Sequence, residues 1–490
     1  MAIDMSQPRS PRFSPWALGG ALKASRYLPL HLVVGLERPA FLYVDLEKVS
    51  GPGVVRAGHS YETLTGMKKL GEMLACVAVL TVACGTSDNS GTSATVAPTA
   101  TVWVVHTTTL QTFGDVGGSS SPTIGVDGNP LISTTDITIG VDGNPLISHM
   151  DIPNSDLELY VCADPACSSG TNVTLETTGD VGWAHSIAIG VDGNPIISHT
   201  DATRDPWELD GCEDPACGGD LVLYVCDDPA CSSGTNVTLE TTGSVGWDTS
   251  IAIGVDGNPI ISHYDDTNED LELYVCDDPA CSSGTNVTLE TTGDVGWDTS
   301  IAIGVDGSPV ISHYDATNGD LELYVCDDPA CSSGTNVTLE TDGNVGFRAS
   351  LVIGVTGNPV IAHMDRANED LELYVCDDPA CSSGTNVELE TTGSVGWDPA
   401  ITISDNGYPV ISHTRWNWDE ADGDLELYVC DNLACSSGTN VTLVTTGSVG
   451  VFSSITIGDD GNPVIAHQEY AKGDLEFTQV MMPASAVADQ

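Results

Sequence analysis

From Gly114 onward the chain copies itself. The clearest copy reads Ser250-Ile-Ala-Ile-Gly-Val-Asp-Gly-Asn-Pro-Ile-Ile-Ser-His-Tyr-Asp265, then Asp270-Leu-Glu-Leu-Tyr-Val-Cys276, then Asn286-Val-Thr-Leu-Glu-Thr291, and each piece is strand-sized. Pro259, Pro309, Pro359 and Pro409 are equivalent positions, so the period is 50 residues; an inserted 207–219 segment lengthens the step from Pro195 to Pro259. A single hydrophobic core stops growing near about 250–300 residues. A chain of 490 residues built from such copies therefore folds as repeats, and a period in this range is that of propeller blades.

Within a copy, Ile251 and Ile253 alternate with small residues, and Asp256-Gly257-Asn258 supplies the positive-φ chemistry of a tight hairpin before the strand at Ile260. Leu271, Leu273 and Val275 point to one face and Glu272, Tyr274 and Cys276 to the other; Val287 and Leu289 repeat the alternation. Each copy is thus a four-stranded sheet with apolar residues on both faces. Such sheets are stable when stacked radially, each covering its neighbour. The last copy stops after a third strand at Asp474-Leu-Glu-Phe-Thr, whereas Thr107-Thr-Thr-Leu-Gln-Thr112 stands as an isolated fourth strand. Joining the two completes one blade. The expected fold is an all-β propeller of about seven four-stranded blades over 105–480, followed by a 481–490 tail. The hairpins at Pro130 and Pro145 are only 15 residues apart, which leaves eight blades with one truncated as the alternative and an open solenoid as the third.

Apart from Cys76 and Cys84, the cysteines pair in sequence: Cys162 with Cys167, Cys212 with Cys217, Cys226 with Cys231, Cys276 with Cys281, Cys326 with Cys331, Cys376 with Cys381 and Cys430 with Cys435. Each pair brackets Asp-Asp-Pro-Ala or a close variant, where a proline turn brings the two Cβ atoms together. Even pairing of this kind reads as disulfides of an exported protein. Zinc would want four ligands, and each loop offers two. The pair Cys212 and Cys217 falls in the inserted segment, as if a third-strand tip had been partly duplicated.

Residues 67–84 read as a short basic region, an apolar run and a small residue before Cys84, which is signal-peptide grammar. The segment resembles a bacterial lipoprotein signal, which implies lipidation of Cys84 and an extracellular or cell-surface location. The 1–66 stretch ahead of it is expected to be a misread upstream extension. The Thr/Ser/Ala/Pro-rich 85–104 segment reads as a flexible tether.

With 70 acidic against 14 basic residues and a formal net charge of −56, the chain repels polyanions, so nucleic acid is excluded as a partner. The membrane is expected to be met only through the N-terminal lipid. No cofactor is expected beyond Ca²⁺, which such acidity attracts. Past Lys69 the only cations are Arg204, Arg348, Arg366, Arg415 and Lys472.

His149, His199, His263, His313, His363, His413 and His467 occupy one repeated position, followed two residues later by Asp151, Asp201, Asp265, Asp315 and Asp365 in five copies. A ring of His-x-Asp pairs is a candidate ligand site; the competing reading is that each His hydrogen-bonds a neighbouring blade or turn. Trp183, Trp247, Trp297 and Trp397 form a second set, with Phe347 and Val451 or Phe452 elsewhere. They read as wedges between blades or as sugar-stacking faces. Asn172, Asn236, Asn286, Asn336 and Asn440 sit in sequons and read as strand-start residues.

Thr178-Gly-Asp-Val-Gly-Trp183 resembles the Asp-box of sialidase-type propellers, which implies a convergent arginine cluster with a Tyr/Glu pair; this chain's few arginines do not supply one in sequence. The whole repeat region resembles bacterial exported propellers with Ser-Ile-Ala-Ile…Asn-Gly-Asn-Pro-x-Ile-Ser-Tyr-Tyr-Asp…Asp-Leu units, a resemblance that implies the fold and no chemistry. Near-identity of the copies favours a non-enzymatic surface module binding carbohydrate or a protein partner through repeated blade loops, since copies give avidity. The alternative is an extracellular polysaccharide-active enzyme, such as a sialidase-like glycoside hydrolase. Symmetry breaks at the 204–219 insertion and at Arg415-Trp-Asn-Trp-Asp-Glu420, so Arg415, Trp416 and Trp418 are candidates for one unique site.

Overall fold

The computed structural model describes residues 75–79, 103–112, 135–204, 218–418, 422–470 and 472–482. Seven antiparallel sheets succeed one another along the chain, and among the described residues there is no helix. Blades 1 to 6 span 135–176, 181–240, 247–290, 295–340, 347–390 and 394–444. Blade 7 joins 449–481 to Trp103–Gln111. In blade 3 the four strands are Trp247–Ile253, Pro259–Asp265, Asp270–Cys276 and Gly284–Glu290. The first strand of each blade adjoins the first strand of the next, and Val449–Ile457 returns to Thr135–Ile139. The ring is closed at seven, so neither the eight-bladed nor the open alternative holds.

Closure is by the two ends of the chain. Trp103–Gln111 pairs with Asp474–Met481 in the register Val105↔Val480 and Thr107↔Thr478. The fourth strand thus begins at Trp103, inside the segment read as tether, because Trp103 and Val105 bury their side chains in the seam with blade 6. On its other edge Trp103–Gln111 is paired by Ala75–Val79, which fall in the 67–84 stretch. The 1–66 extension, the remainder of 67–102 with Cys84, where lipidation is expected, the Pro130 hairpin and the 483–490 tail lie outside the described residues.

Alternation along the strands gives two apolar faces, and both are covered. Leu271 and Leu273 of blade 3 pack with Ile260 against Ile301, Ile311, Tyr324, Cys326 and Cys331 of blade 4. Leu221 and Leu223 of blade 2 meet Tyr274, Cys276 and Cys281 of blade 3 in the same way. Every seam except that of blade 6 with blade 7 is thus an apolar face against a tyrosine–disulfide face. Cys276–Cys281 and its five equivalents, Cys162–Cys167, Cys226–Cys231, Cys326–Cys331, Cys376–Cys381 and Cys430–Cys435, are formed, each with Cα atoms 4.9 Å apart. They close a turn in which Asp278 accepts from the amide of Ala280, and they also fill the seam. The expected seventh bridge is not among them. Cys212 lies outside the described residues, and so does Cys217, one residue before the strand Gly218–Cys226 begins. Blade 7 lacks such a clip in its described strands, and Trp103, Val105 and Val480 fill its seam with blade 6. Six disulfides fit an oxidising, extracellular setting.

The hairpins between first and second strands close as the Asp-Gly-Asn turn requires: Gly257 has φ 87°, and Gly254 N–H donates to Asn258 O at 2.8 Å. A Cβ on Gly257 would lie 2.7 Å from Val191 Cγ1 of the preceding blade. The turn glycine thus serves ring packing as well as the turn.

Candidate functional site

Among the described residues the first strands of blades 2 to 7 enter the ring with the same defect. Pairing in blade 3 runs Trp247↔Tyr264 and resumes at Ser250↔Ser262, so a bulge lies between them. The residue after the aromatic position takes a left-handed backbone: Ala184 (φ 44°), Asp248 (50°), Asp298 (51°), Arg348 (53°), Asp398 (49°) and Phe452 (53°). Bulges re-aim side chains, and here they turn one side chain from each of blades 2 to 7 toward the axis. The aromatic slot in blade 7 is therefore Val451, which pairs with Gln468, while Phe452 takes the axial slot.

These side chains, with His185, Thr249, Thr299 and Ser453 beside them, line a cavity of about 170 Å³. Drug-sized ligands fill pockets of about 300–1,000 Å³. The cup accordingly holds one small ring or group. Its scaffold is repetitive: Asp248 Oδ2 accepts the amide of Asp298 at 3.1 Å, Asp298 Oδ2 that of Arg348 at 2.9 Å, and Asp398 Oδ2 that of Phe452 at 3.0 Å. Thr299 Oγ1 donates to Asp248 O at 2.8 Å and Thr249 Oγ1 to Ala184 O at 2.7 Å. Its chemistry is not repetitive, since three carboxylates, one guanidinium, an alanine and a phenylalanine share equivalent slots.

Burial raises both neighbouring carboxyls. Burial, then the adjacent Asp298 carboxylate, pushes Asp248 up to about 7. Asp298 is also raised by burial, but Arg348 and Arg366 draw it down. Arg348 forms an ion pair with Asp398, the two side chains being 11% and 6% exposed. Its guanidinium lies 5.3 Å from the Phe452 ring centroid and 5.5 Å from that of Phe347. His185 Nδ1 bonds Gly182 O at 2.9 Å, and burial lowers its pKa. Among the described residues no group of three or more His, Cys, Asp or Glu is disposed to hold a metal ion.

The seven repeated histidines lie elsewhere, inside the blades. His149, His199, His263, His313, His363, His413 and His467 are buried. Six of them bond through Nε2 to the Asn of the fourth strand (Asn172, Asn236, Asn286, Asn336, Asn386, Asn440) at 2.9–3.4 Å, and His467 bonds Thr478 at 2.9 Å. In blade 3 the amide of Gly246 donates to His263 Nδ1 at 3.3 Å, so Nε2 carries the proton. Asn286 Nδ2 passes the chain on to Glu272 at 2.6 Å, which also accepts from Thr288 at 2.9 Å. Burial depresses His149, His363 and His467 to about 4, so these imidazoles are neutral at physiological pH. The His-x-Asp pairs do not act together as pairs. The Asp caps its own hairpin, as Asp265 does by accepting from Thr267 and Asn268 amides at 2.8 and 3.1 Å.

The half-buried tryptophans occupy the wedge position. Trp247 and Trp397 donate through Nε1 to Ser244 and Ser394, and Trp183 and Trp297 to Asp180 and Asp294, at 2.6–2.9 Å. Arg415 takes the hairpin slot filled by Asp365 in blade 5 and makes a two-pronged pair with Glu426 at 2.9 and 3.1 Å, while Nη1 donates to Thr392 O at 3.1 Å. Trp416 and Trp418 are neighbours, with centroids 5.8 Å apart. Arg415 is therefore spoken for, and the two indoles are brought together.

The axial residues were not among those singled out from the sequence. Their signal was a single column of the repeat, where Trp-Asp-Thr-Ser in 247–250 and 297–300 becomes Phe-Arg-Ala-Ser at 347–350.

No family model matches the chain, and no curated protein matches it. Among solved structures it is similar to the α-L-arabinanase of Penicillium chrysogenum, at 12% identity over 71% of this chain and 93% of that one, TM-score 0.43. It is similar to the intramolecular trans-sialidase of Ruminococcus gnavus at 10% identity, 76% and 100% coverage, TM-score 0.40. The polysaccharide lyase Uly1 is matched at 9% identity, 72% and 91% coverage, TM-score 0.46. These similarities assign no role to any residue of the cup.

Proposed function

We propose that the protein is an extracellular glycan-processing enzyme whose axial cup hydrolyses a glycosidic bond, displayed on a bacterial surface from a lipid on Cys84 by a tether that ends before Trp103, a maturation that removes the edge strand Ala75–Val79. The carrying observation is the adjacent carboxyl pair of the cup: burial raises both Asp248, to about 7, and Asp298, whose charged form Arg348 and Arg366 favour. Two neighbouring carboxyls divide into proton donor and base, and Asp298, with Arg348 as its largest opposing charge, is assigned the base. Asp248 gives its proton to the glycosidic oxygen as the bond to the anomeric carbon breaks; Asp298 takes a proton from the water that adds to that carbon. Arg348 holds Asp398 and keeps the cup's charge from accumulating. This reading takes the place of repeated loop sites, because catalysis needs one asymmetric constellation and the cup is one.

The test is release of reducing sugar from a panel of soluble glycans by the full chain and by Asp248→Asn, which keeps the acceptor that caps the Asp298 amide. A fall of at least about 100-fold with an unchanged β-sheet circular dichroism spectrum is expected. Full activity in Asp248→Asn contradicts the assignment. Saturable glycan binding with no turnover by the unaltered protein returns the reading to a binding module.

A further inference from the structure

We propose that the long hairpin of blade 6 is a stacking platform for a neutral pyranose chain, with Trp418 and Trp416 as the contact residues. In blade 5 the pairing of second and third strands stops at Asp365↔Asp370. In blade 6 it continues through Arg415↔Asp424, Trp416↔Gly423 and Asn417↔Asp422. The added turn carries the two indoles outward. A Cβ on Gly423 would lie 3.0 Å from Trp416 Cε3, so the glycine lets the indole lie close across the opposite strand.

Trp418 is 59% exposed and is the only exposed large aromatic side chain among the described residues. Exposure does not leave it loose. Its Nε1 donates to Ser394 Oγ at 3.1 Å and Glu369 Oε2 at 3.3 Å, and its ring stands 5.5 Å from Trp397 and 5.8 Å from Trp416 in tilted, edge-type contacts. Trp416 in turn meets Tyr470 of blade 7 at 5.6 Å. An indole already fixed by blades 5 and 6 loses little freedom when a ligand lies on it. A single fixed aromatic face, rimmed by acceptors, suits the apolar face of a pyranose with hydroxyls donating at its edge.

Charge selects the class. The one cation of the hairpin, Arg415, is held by Glu426 and Thr392 O. Glu369, Asp422 and Asp424 are acidic. Uronate or sialate polymers would meet carboxylates with no free guanidinium. Trp397 touches Trp418, and the next residue, Asp398, lines the cup. Trp397 is thus one residue from the cup lining, and only a link between platform and turnover rests on the function proposed above.

Binding is measured with the full chain carrying Asp248→Asn, using cellohexaose, mannohexaose and xylohexaose as neutral pyranose probes and a galacturonate hexamer as the acidic one. At least one neutral hexamer binds and quenches tryptophan fluorescence; Trp418→Ala weakens it at least tenfold, and Trp418→Phe recovers part of the loss. The proposal is overturned if no neutral hexamer binds, if Trp418→Ala and Trp416→Ala each stay within twofold, or if the galacturonate hexamer binds more tightly. Absence of turnover by the unaltered protein, with hexamer binding intact, sinks the hydrolase reading and leaves the platform standing.

Discussion

Replacing Arg348 by methionine keeps a chain of similar length but leaves the axial carboxylates without their cation. Arg348 and Asp398 are 11% and 6% exposed, so solvent screens the pair little. Breaking such a buried pair costs about 3–5 kcal/mol. The loss depends on pH in a definite direction. Arg348 lowers both Asp248 and Asp298 against burial, so without it both rise further. A carboxyl whose native pKa lies above its unfolded value binds a proton the unfolded chain has released, so its contribution is favourable at low pH and is lost as pH climbs from about 4 through the native pKa. Each unit of added shift is worth about 1.4 kcal/mol. Urea unfolding of Arg348→Met and the unaltered chain at pH 5 and pH 8 is therefore expected to show the larger deficit at pH 8. Equal deficits at both pH values, or none, refute the electrostatic account of the cup.

Removing one clip by Cys276→Ala/Cys281→Ala should lower stability by about 2 kcal/mol from loop closure alone, and more because both sulfurs fill the seam with blade 2; the urea midpoint in non-reducing buffer measures it. Val105→Asp places a carboxylate in the closing seam, where Val105 is buried against blade 6, and should cost several kcal/mol. Hydrogen exchange should then quicken first in Trp103–Gln111 and Asp474–Met481, and uniform protection across that pair contradicts closure by the chain ends.

The ring was legible because each of its causes is local. The 50-residue period, the Asp-Gly-Asn hairpins, the alternation around Leu273 and the truncated last copy each state a piece of it. The six described disulfides were legible from the Cys-x4-Cys turns, whereas their place in the blade seams was not, since that needs the twist that sets Cys276 against Leu223. The histidines misled because repetition looks like a site. Their partners sit 23 residues away in blade 3, from His263 to Asn286, and only the four-stranded register brings them together. The axial carboxylates were hidden because a bulge without glycine re-aims Asp248, and Trp-Asp-Thr-Ser carries no mark of a left-handed residue. Arg415 and its aromatic neighbours were visible as a broken copy; the bond to Glu426 across the strand pair was not.

The dependence of kcat/KM on pH for the glycan most rapidly cleaved is the direct test of an axial acid. With Asp248 near 7, the rate should fall tenfold per unit above about 7, and Asp248→Asn should abolish that limb along with the activity. A profile flat from pH 5 to 9, or the same alkaline limb in Asp248→Asn, places the chemistry elsewhere on the molecule.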